Sequence, residues 1–196
     1  MAIKSEPWYI HLILYVVIAV LVFILVQVAI IQPAEIVEKE EFYQKESRLR
    51  MKNIKEAEIL WNRKYNRFTN DLDSLISFIK NDPSVVKVIT GVDSLTNKKT
   101  NPFEALISTN PVEDTLRYFT QVMPDSLKKS PKSFREYILQ IDTSVQADTV
   151  INQSGKILRV DTTRKIGTRY YLEDPDGYGT IGDLYQDALK NTASWE

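Results

Sequence analysis

Residues 8–31 read WYIHLILYVVIAVLVFILVQVAII, and this apolar run decides how the whole chain is organised. No Asp, Glu, Lys or Arg occurs between residue 7 and residue 34. As a helix the run rises about 36 Å at ~1.5 Å per residue, more than the ~30 Å hydrocarbon core of a bilayer. A buried helix that is apolar on every face needs a larger surrounding domain than this chain can supply. The run therefore predicts a single transmembrane helix.

The ends of the run are typical of a membrane anchor. Trp8 and Tyr9 lie where aromatic side chains line the membrane interface. A cleaved signal peptide has a shorter apolar region that ends in a small-x-small site, but Gln27 occupies the first small position before Ala29. We therefore expect an uncleaved anchor.

The flanking charges leave the orientation of the anchor open. Lysines and arginines from Lys45 onward place the C-terminal side in the cytoplasm by the positive-inside rule, whereas the acidic residues nearest the span indicate the opposite. Over the whole chain, 25 Lys and Arg against 26 Asp and Glu give a net charge of −1. A chain with this balance has no basic field for nucleic acid.

A long charged helix is predicted after the span, because residues 34–68 contain no Gly or Pro. Its first half has a thin apolar stripe and its second half a fuller one, which should be buried. We predict a short tail over residues 1–7, a transmembrane helix over 8–32, a helical stalk over 33–48 and a soluble domain over 49–196. The fuller stripe consists of Ile54, Ala57, Leu60, Trp61 and Tyr65.

The soluble domain should begin with further helices. A second helix is predicted to start near Thr69-Asn70-Asp71, all residues with N-cap oxygens, and to stop at Pro83. Residues 84–89, SVVKVI, are predicted to form a short strand because they are rich in β-branched side chains. Short helical pieces are expected at 103–107 and 113–122.

The C-terminal part of the chain alternates with a period of two, which is typical of strands. We predict strands near 137–141, 156–160 and 168–172, with connections too short for crossover helices. Helices followed by an antiparallel sheet predict an α+β fold. The long helix should lie across this sheet with Trp61 largely buried. The facing sheet residues should be Tyr137, Leu139, Ile141, Ile157 and Tyr170.

The residue types exclude much of ordinary enzyme chemistry. The one histidine, His11, lies in the apolar run, and the chain has no cysteine. The soluble domain therefore lacks histidine bases, thiol nucleophiles and ordinary zinc ligands. We predict a non-catalytic protein without a cofactor. Gln27 lies within the span, where it is either a partner contact that hydrogen-bonds a neighbouring helix or a tolerated polar residue near the far interface.

One segment matches part of a calcium-binding loop. In DPDGYGTIGD, Asp174 and Asp176 fall at positions one and three of an EF-hand loop, and Gly179 falls at position six. Tyr178 and Tyr185 occupy positions five and twelve, where oxygen ligands belong. The two carboxylates are therefore a weak calcium candidate. A Pro-Asp-Gly turn is the alternative interpretation.

Three stretches resemble an uncharacterised family of small bacterial envelope proteins with an N-terminal anchor. They are RMKNIKEAE from Arg50, KYNRFTNDLDSLISFIKND from Lys64, and the ending with IGDL from Ile181 and ASWE from Ala193. The resemblance covers about half of the chain. It implies a single-pass protein of the inner membrane with an extracytoplasmic C-terminal domain, and it carries over no functional residues.

The layout also resembles that of type IV pilins and pseudopilins, in which an apolar helix continues as an amphipathic helix packed on an antiparallel sheet. The chain departs from them because it has no Gly-Phe processing site before the span and no acidic residue early in the apolar helix. The resemblance implies a pilin-like fold that stays in the membrane.

These observations predict a structural or assembly subunit of a bacterial envelope complex, such as a secretion or pilus-type apparatus. Its expected partners are the lipid bilayer, other membrane or envelope proteins, and a second copy in a homo-oligomer. The alternative is a membrane-anchored ligand-binding or sensing module. That alternative rests on loop 93–133 and on four tyrosines, Tyr170, Tyr171, Tyr178 and Tyr185, which would have to line a common pocket.

Overall fold

The chain folds into helices and one small antiparallel sheet, which confirms the predicted α+β class. Contacts divide it into two compact units, Met1–Tyr43 and Gln44–Glu196. The computed structural model describes residues 8–94, 96, 98–109, 114–152 and 155–196.

The first unit is helical throughout its described part. Helix α1 spans Trp8–Val26, a π-helical turn follows at Gln27–Ile31, and helix α2 begins at Gln32. None of the side chains of α1 is buried. The apolar segment is therefore present as a helix that is long and apolar enough to cross a bilayer.

Helix α2, Gln32–Tyr65, continues into the second unit and supplies much of its core. Ile54, Ala57 and Leu60 are buried as predicted. The prediction for Trp61 is wrong, because its side chain is only partly buried and packs against Tyr65 near the end of the helix, with ring centroids 4.4 Å apart. The helix ends just beyond this pair, so fewer neighbours cover it.

Burial along α2 begins before the predicted end of the exposed stalk at residue 48. Glu46 and Ser47 are both 0% exposed. Their burial follows from polar partners elsewhere in the chain, which a stripe of apolar residues does not reveal.

Helices α3, Leu72–Asn81, and α4, Pro83–Thr90, follow α2. Asp71, one of the three residues predicted to cap this helix, is the residue that caps α3. The predicted strand at 84–89 is wrong, because Asp82 accepts a hydrogen bond from Ser84 N–H and starts α4 instead. Proline is favoured in the first turn of a helix, and this capping outweighs the β-branched composition.

A third helical region comprises α5, Thr115–Arg117, a π-helical turn at Tyr118–Val122, and α6, Met123–Leu127. It corresponds to the piece predicted over 113–122, of which residue 113 lies outside the described residues. The piece predicted over 103–107 is not helical. There the Asn53 side chain exchanges two hydrogen bonds of 2.9 Å with the backbone of Glu104 and takes the place of helical partners.

The sheet has the order β1-β2-β3, with strands Ile138–Ile151, Ile157–Glu173 and Thr180–Gly182. The predicted second and third strands are the two ends of the single strand β2. The interpretation that they are separate strands is wrong, because pairing with β1 continues through residues 161–166. Ile157 is 58% exposed and lies outside the core, unlike Tyr137, Leu139 and Tyr170.

Candidate functional site

Helices cover the β1–β2 hairpin only over its first half. Leu139 and Tyr170 belong to the same buried core as α2. From residue 143 of β1 and up to residue 166 of β2, every described side chain of the two strands is exposed. We call residues 143–151 and 157–166 the ribbon. A two-stranded hairpin without a covering layer is marginally stable, so we expect a partner to bind and cover the ribbon.

The register of the ribbon places most of its apolar side chains on one face. Val145 pairs with Arg164, and Thr149 pairs with Val160. Directly opposed residues of an antiparallel pair share a face, and alternate residues of each strand lie on it. We call it the apolar face. Its aliphatic side chains are Val145, Val160 and Ile166, which are 62%, 53% and 44% exposed.

A bulge at Asp142 separates the ribbon from the covered half of the sheet. Thr168 Oγ1 donates to Asp142 Oδ2 at 2.6 Å, and Arg169 N–H donates to Oδ1 at 2.8 Å. Burial alone would raise the pKa of Asp142, but the hydrogen bonds from Thr168 and Arg169 hold it below its ordinary value. The bulge therefore contains a buried, charged acceptor.

The loop after α2 contacts β2 at the bulge through Gly167. Phe68 N–H donates to Gly167 O at 2.7 Å. Gly167 has φ +70°, and a Cβ built there would lie 2.7 Å from Phe68 O. Only glycine satisfies both the conformation and the close approach.

We expect Gly167→Ala to lower the free energy of unfolding by about 1–3 kcal/mol, because alanine is strained at positive φ and displaces the Phe68 backbone. Urea unfolding of the full-length protein in detergent micelles measures this loss. Gly155→Ala is the matched control, since Gly155 has φ +78° and a Cβ added to it would meet no atom within 4 Å. Equal losses at both sites would show that the contact with Phe68 contributes nothing.

A cleft of about 570 Å³ lies where the covered sheet becomes the ribbon. One wall comes from the end of α2 and the loop after it, and the other comes from the sheet. The cleft extends the apolar face inward and adds a cation, Arg67, to its wall. Its principal lining residues are Trp61, Arg67, Phe68, Leu139, Ile141 and Ile166.

The calcium candidate Asp174 is buried against α2. Ser47 Oγ donates to Asp174 Oδ2 and lies 2.8 Å from Tyr137 Oη, while Asp176 N–H donates to Asp174 Oδ1 at 2.7 Å. Burial raises the pKa of Asp174, and the Ser47 hydrogen bond opposes this only in part. The carboxylate therefore connects the turn to the helix.

The second candidate, Asp176, also bonds to protein donors. It accepts hydrogen bonds from Ser130 Oγ, from Ser133 N–H at 3.2 Å and from Arg135 Nη2 at 3.2 Å. Within the described residues no cluster of three or more His, Cys, Asp or Glu could hold a metal ion. The turn interpretation describes the observed bonding, and calcium binding stays a prediction.

A buried ion pair on α2 was missed at the sequence level. Glu46 Oε1 accepts from Arg50 Nη2 at 3.0 Å and from Ser108 Oγ at 2.6 Å. Arg50 Nη1 donates to the carbonyls of Ser126 and Lys129 at 3.0 and 2.7 Å. The i, i+4 spacing of Glu46 and Arg50 was the available signal, but such pairs usually lie on the surface.

A second buried acid, Glu58, lies on α2. Glu58 Oε2 accepts from Thr69 N–H at 3.2 Å. Glu58 Oε1 and Tyr170 Oη are both buried, and neither has a hydrogen-bond partner in the described part of the chain. Burial raises the pKa of Glu58 to about 8, although the Thr69 hydrogen bond lowers it. Glu58 is therefore mainly neutral at pH 7.

The remaining predicted residues do not form a common site. Gln27 is exposed and begins the π-helical turn. Tyr170 and Tyr171 are consecutive strand residues and point to opposite faces of the sheet. Tyr178 is buried, whereas Tyr185 is 87% exposed. The four C-terminal tyrosines therefore do not converge on one pocket, which removes a main basis for the ligand-binding alternative.

Comparison with protein-family models, characterised proteins and solved structures gives no match for this chain. The pilin-like layout therefore rests on the sequence pattern alone. In the described part of the second unit, the ribbon is an exposed surface without a covering layer.

Proposed function

We propose that this protein is a non-catalytic assembly subunit of a bacterial envelope complex, of the secretion or pilus type. Its N-terminal helix anchors it in the inner membrane, and the ribbon binds another envelope protein on the extracytoplasmic side. The single observation that carries the proposal is the uncovered apolar face of the ribbon. Exposed apolar patches of this kind commonly mark protein interaction sites.

The charge of the apolar face indicates the kind of partner. Arg164 lies on this face, and Arg67 lines the adjoining cleft. Among the described side chains of the face there is no carboxylate, since the others are Thr, Val and Ile. A protein segment with aliphatic residues flanked by Asp or Glu complements this surface.

Site-specific photo-cross-linking in native membranes tests the proposal. A photoreactive residue at Val145 or Val160 should yield an adduct with one envelope protein. The same residue at Val150 is the matched control, because Val150 lies in β1 but on the other face of the ribbon. We expect at least fivefold more adduct from the apolar face.

The adduct must also depend on the chemistry of the face. Val160→Asp, which places a carboxylate opposite an acidic partner, should reduce the Val145 adduct at least fivefold, whereas Val150→Asp should leave it unchanged. Adducts with lipid alone, or equal labelling of both faces, would refute the proposed contact. Identification of the adduct by mass spectrometry names the partner.

A further inference from the structure

The outer edge of β1 has no partner strand in the described part of the chain. The sheet order β1-β2-β3 places β1 at the edge, and among the described strands only β2 pairs with it. An open edge presents a row of backbone N–H and C=O groups, which is a template for another strand. The binding partner best suited to this edge is therefore an extended polypeptide segment.

The two long edges of the ribbon differ in their protection against pairing. Residues 143–151 of β1 contain one charged residue, Asp148, and no Lys, Arg or Pro. β2 carries Arg159, Arg164 and Lys165 in the ribbon. Lysine, proline and other charged residues are common means of blocking an exposed edge. The edge of β1 lacks them and is the edge suited to pairing.

A second copy of the same chain fits the edge of β1. An antiparallel β1–β1 contact presents the same segment on both sides, so a two-fold axis closes it. Because Asp148 is the only charge on each segment, this contact brings together few like charges. Pairing of β1 with β2 of the next copy would join unlike edges, continue without closing and place basic residues along the junction.

We propose that the β1 edges of two copies pair antiparallel and form a four-stranded sheet with the order β2-β1-β1-β2. Anchoring both copies in one bilayer raises their effective concentration, so a modest edge contact suffices. The contact uses the edge of the ribbon and leaves its apolar face open. The inference therefore does not depend on the proposed envelope partner.

Cysteine cross-linking tests the pairing directly, because the chain contains no native cysteine. The full-length protein is reconstituted into liposomes with single substitutions in β1 (Thr143→Cys, Val145→Cys, Thr149→Cys) or in β2 (Thr162→Cys, Arg164→Cys), and mild oxidation follows. We expect at least tenfold more disulfide-linked dimer from the best β1 position than from either β2 position. Equal yields from the two strands, or monomer only, would overturn the inference.

Blocking the edge provides the second arm of the test. Thr149→Lys is added to whichever of Thr143→Cys and Val145→Cys gives more cross-linked dimer. We expect this second substitution to reduce the amount of dimer at least fivefold. Thr162→Lys is the matched control, since both threonines are exposed on the same face but lie in different strands. Val150→Lys is a second blocking variant, and circular dichroism checks that each variant folds. A dimer that survives both blocking substitutions contradicts pairing through β1.

The two proposals fail in distinguishable ways. Loss of envelope-protein adducts at Val145 with an intact β1-linked dimer refutes only the proposed function. Adducts that persist while the full chain is monomeric in liposomes refute only the pairing of copies.

Discussion

Replacing Arg50 with leucine is expected to lower the free energy of unfolding by about 3–5 kcal/mol, the usual cost of breaking a buried ion pair on one side. Arg50 is 8% exposed and its partner Glu46 is 0% exposed. The substitution leaves the Glu46 carboxylate without its cation. It also removes the donor from the carbonyls of Ser126 and Lys129. A typical domain has only ~5–15 kcal/mol of stability in total.

Urea unfolding of the full-length protein in detergent micelles, followed by tryptophan fluorescence, measures this loss. Arg48→Leu is the control on the same helix: Arg48 donates to the Tyr178 carbonyl at 3.1 Å and lies over Trp195, so it pairs with neutral groups. Its removal should cost about 1 kcal/mol. Adding Glu46→Gln to Arg50→Leu should recover part of the loss by removing the uncompensated charge. Equal costs for Arg48→Leu and Arg50→Leu would show that charge compensation is not what Arg50 supplies.

Glu58→Gln is expected to stabilise the protein above neutral pH and to remove much of the dependence of its stability on pH between about pH 5 and pH 8. Burial raises the pKa of Glu58 from 4.5 to about 8 in the folded chain. The folded state therefore binds a proton that the unfolded state has released. The stability from neutral Glu58 is fully present below pH 4.5 and is lost as the pH rises through 8.

The size of this effect follows from ~1.4 kcal/mol per pKa unit. Between pH 5 and pH 8 the wild-type protein should lose on the order of 3 kcal/mol through Glu58 alone. Glutamine keeps an oxygen for Thr69 N–H but has no proton to release, so the Glu58→Gln variant should lack this loss.

Unfolding curves of both proteins across this pH range test the prediction. Glu56→Gln is the control, because Glu56 is on the same helix and is half-exposed. Its curve should parallel that of the wild type. If wild type and Glu58→Gln show the same slope with pH, the buried carboxyl is already ionised at neutral pH.

Local patterns in the sequence were sufficient for several elements. The apolar run predicted the first helix, the N-cap residues Thr69-Asn70-Asp71 predicted the start of α3, and alternation with a period of two predicted strands after residue 137. Each of these signals involves neighbours within about one or two turns or one strand. Such signals survive in the fold because the interactions behind them are local.

The position of the candidate surface was only partly readable. Both strands of the ribbon contain runs of Val, Ile and Thr without proline, and Gly155 follows Asn152 at the turn between them. These features are visible in the sequence, but the polar residues 161–165, followed by Gly167, taken alone indicate a connection between strands. Pairing with β1 keeps them in one strand, and that pairing depends on a segment elsewhere in the chain.

The sequence by itself determined the apolar N-terminal helix, the α+β class and the absence of histidine and cysteine from the chain after the apolar run. Tertiary structure alone decided that Glu46, Arg50 and Glu58 are buried and that half of the hairpin is not covered. Composition and periodicity indicate which side chains of a single segment should face an average protein interior and which should face solvent. Whether a charge can be buried, or a strand left exposed, depends on the hydrogen-bond partners and covering side chains that distant segments supply.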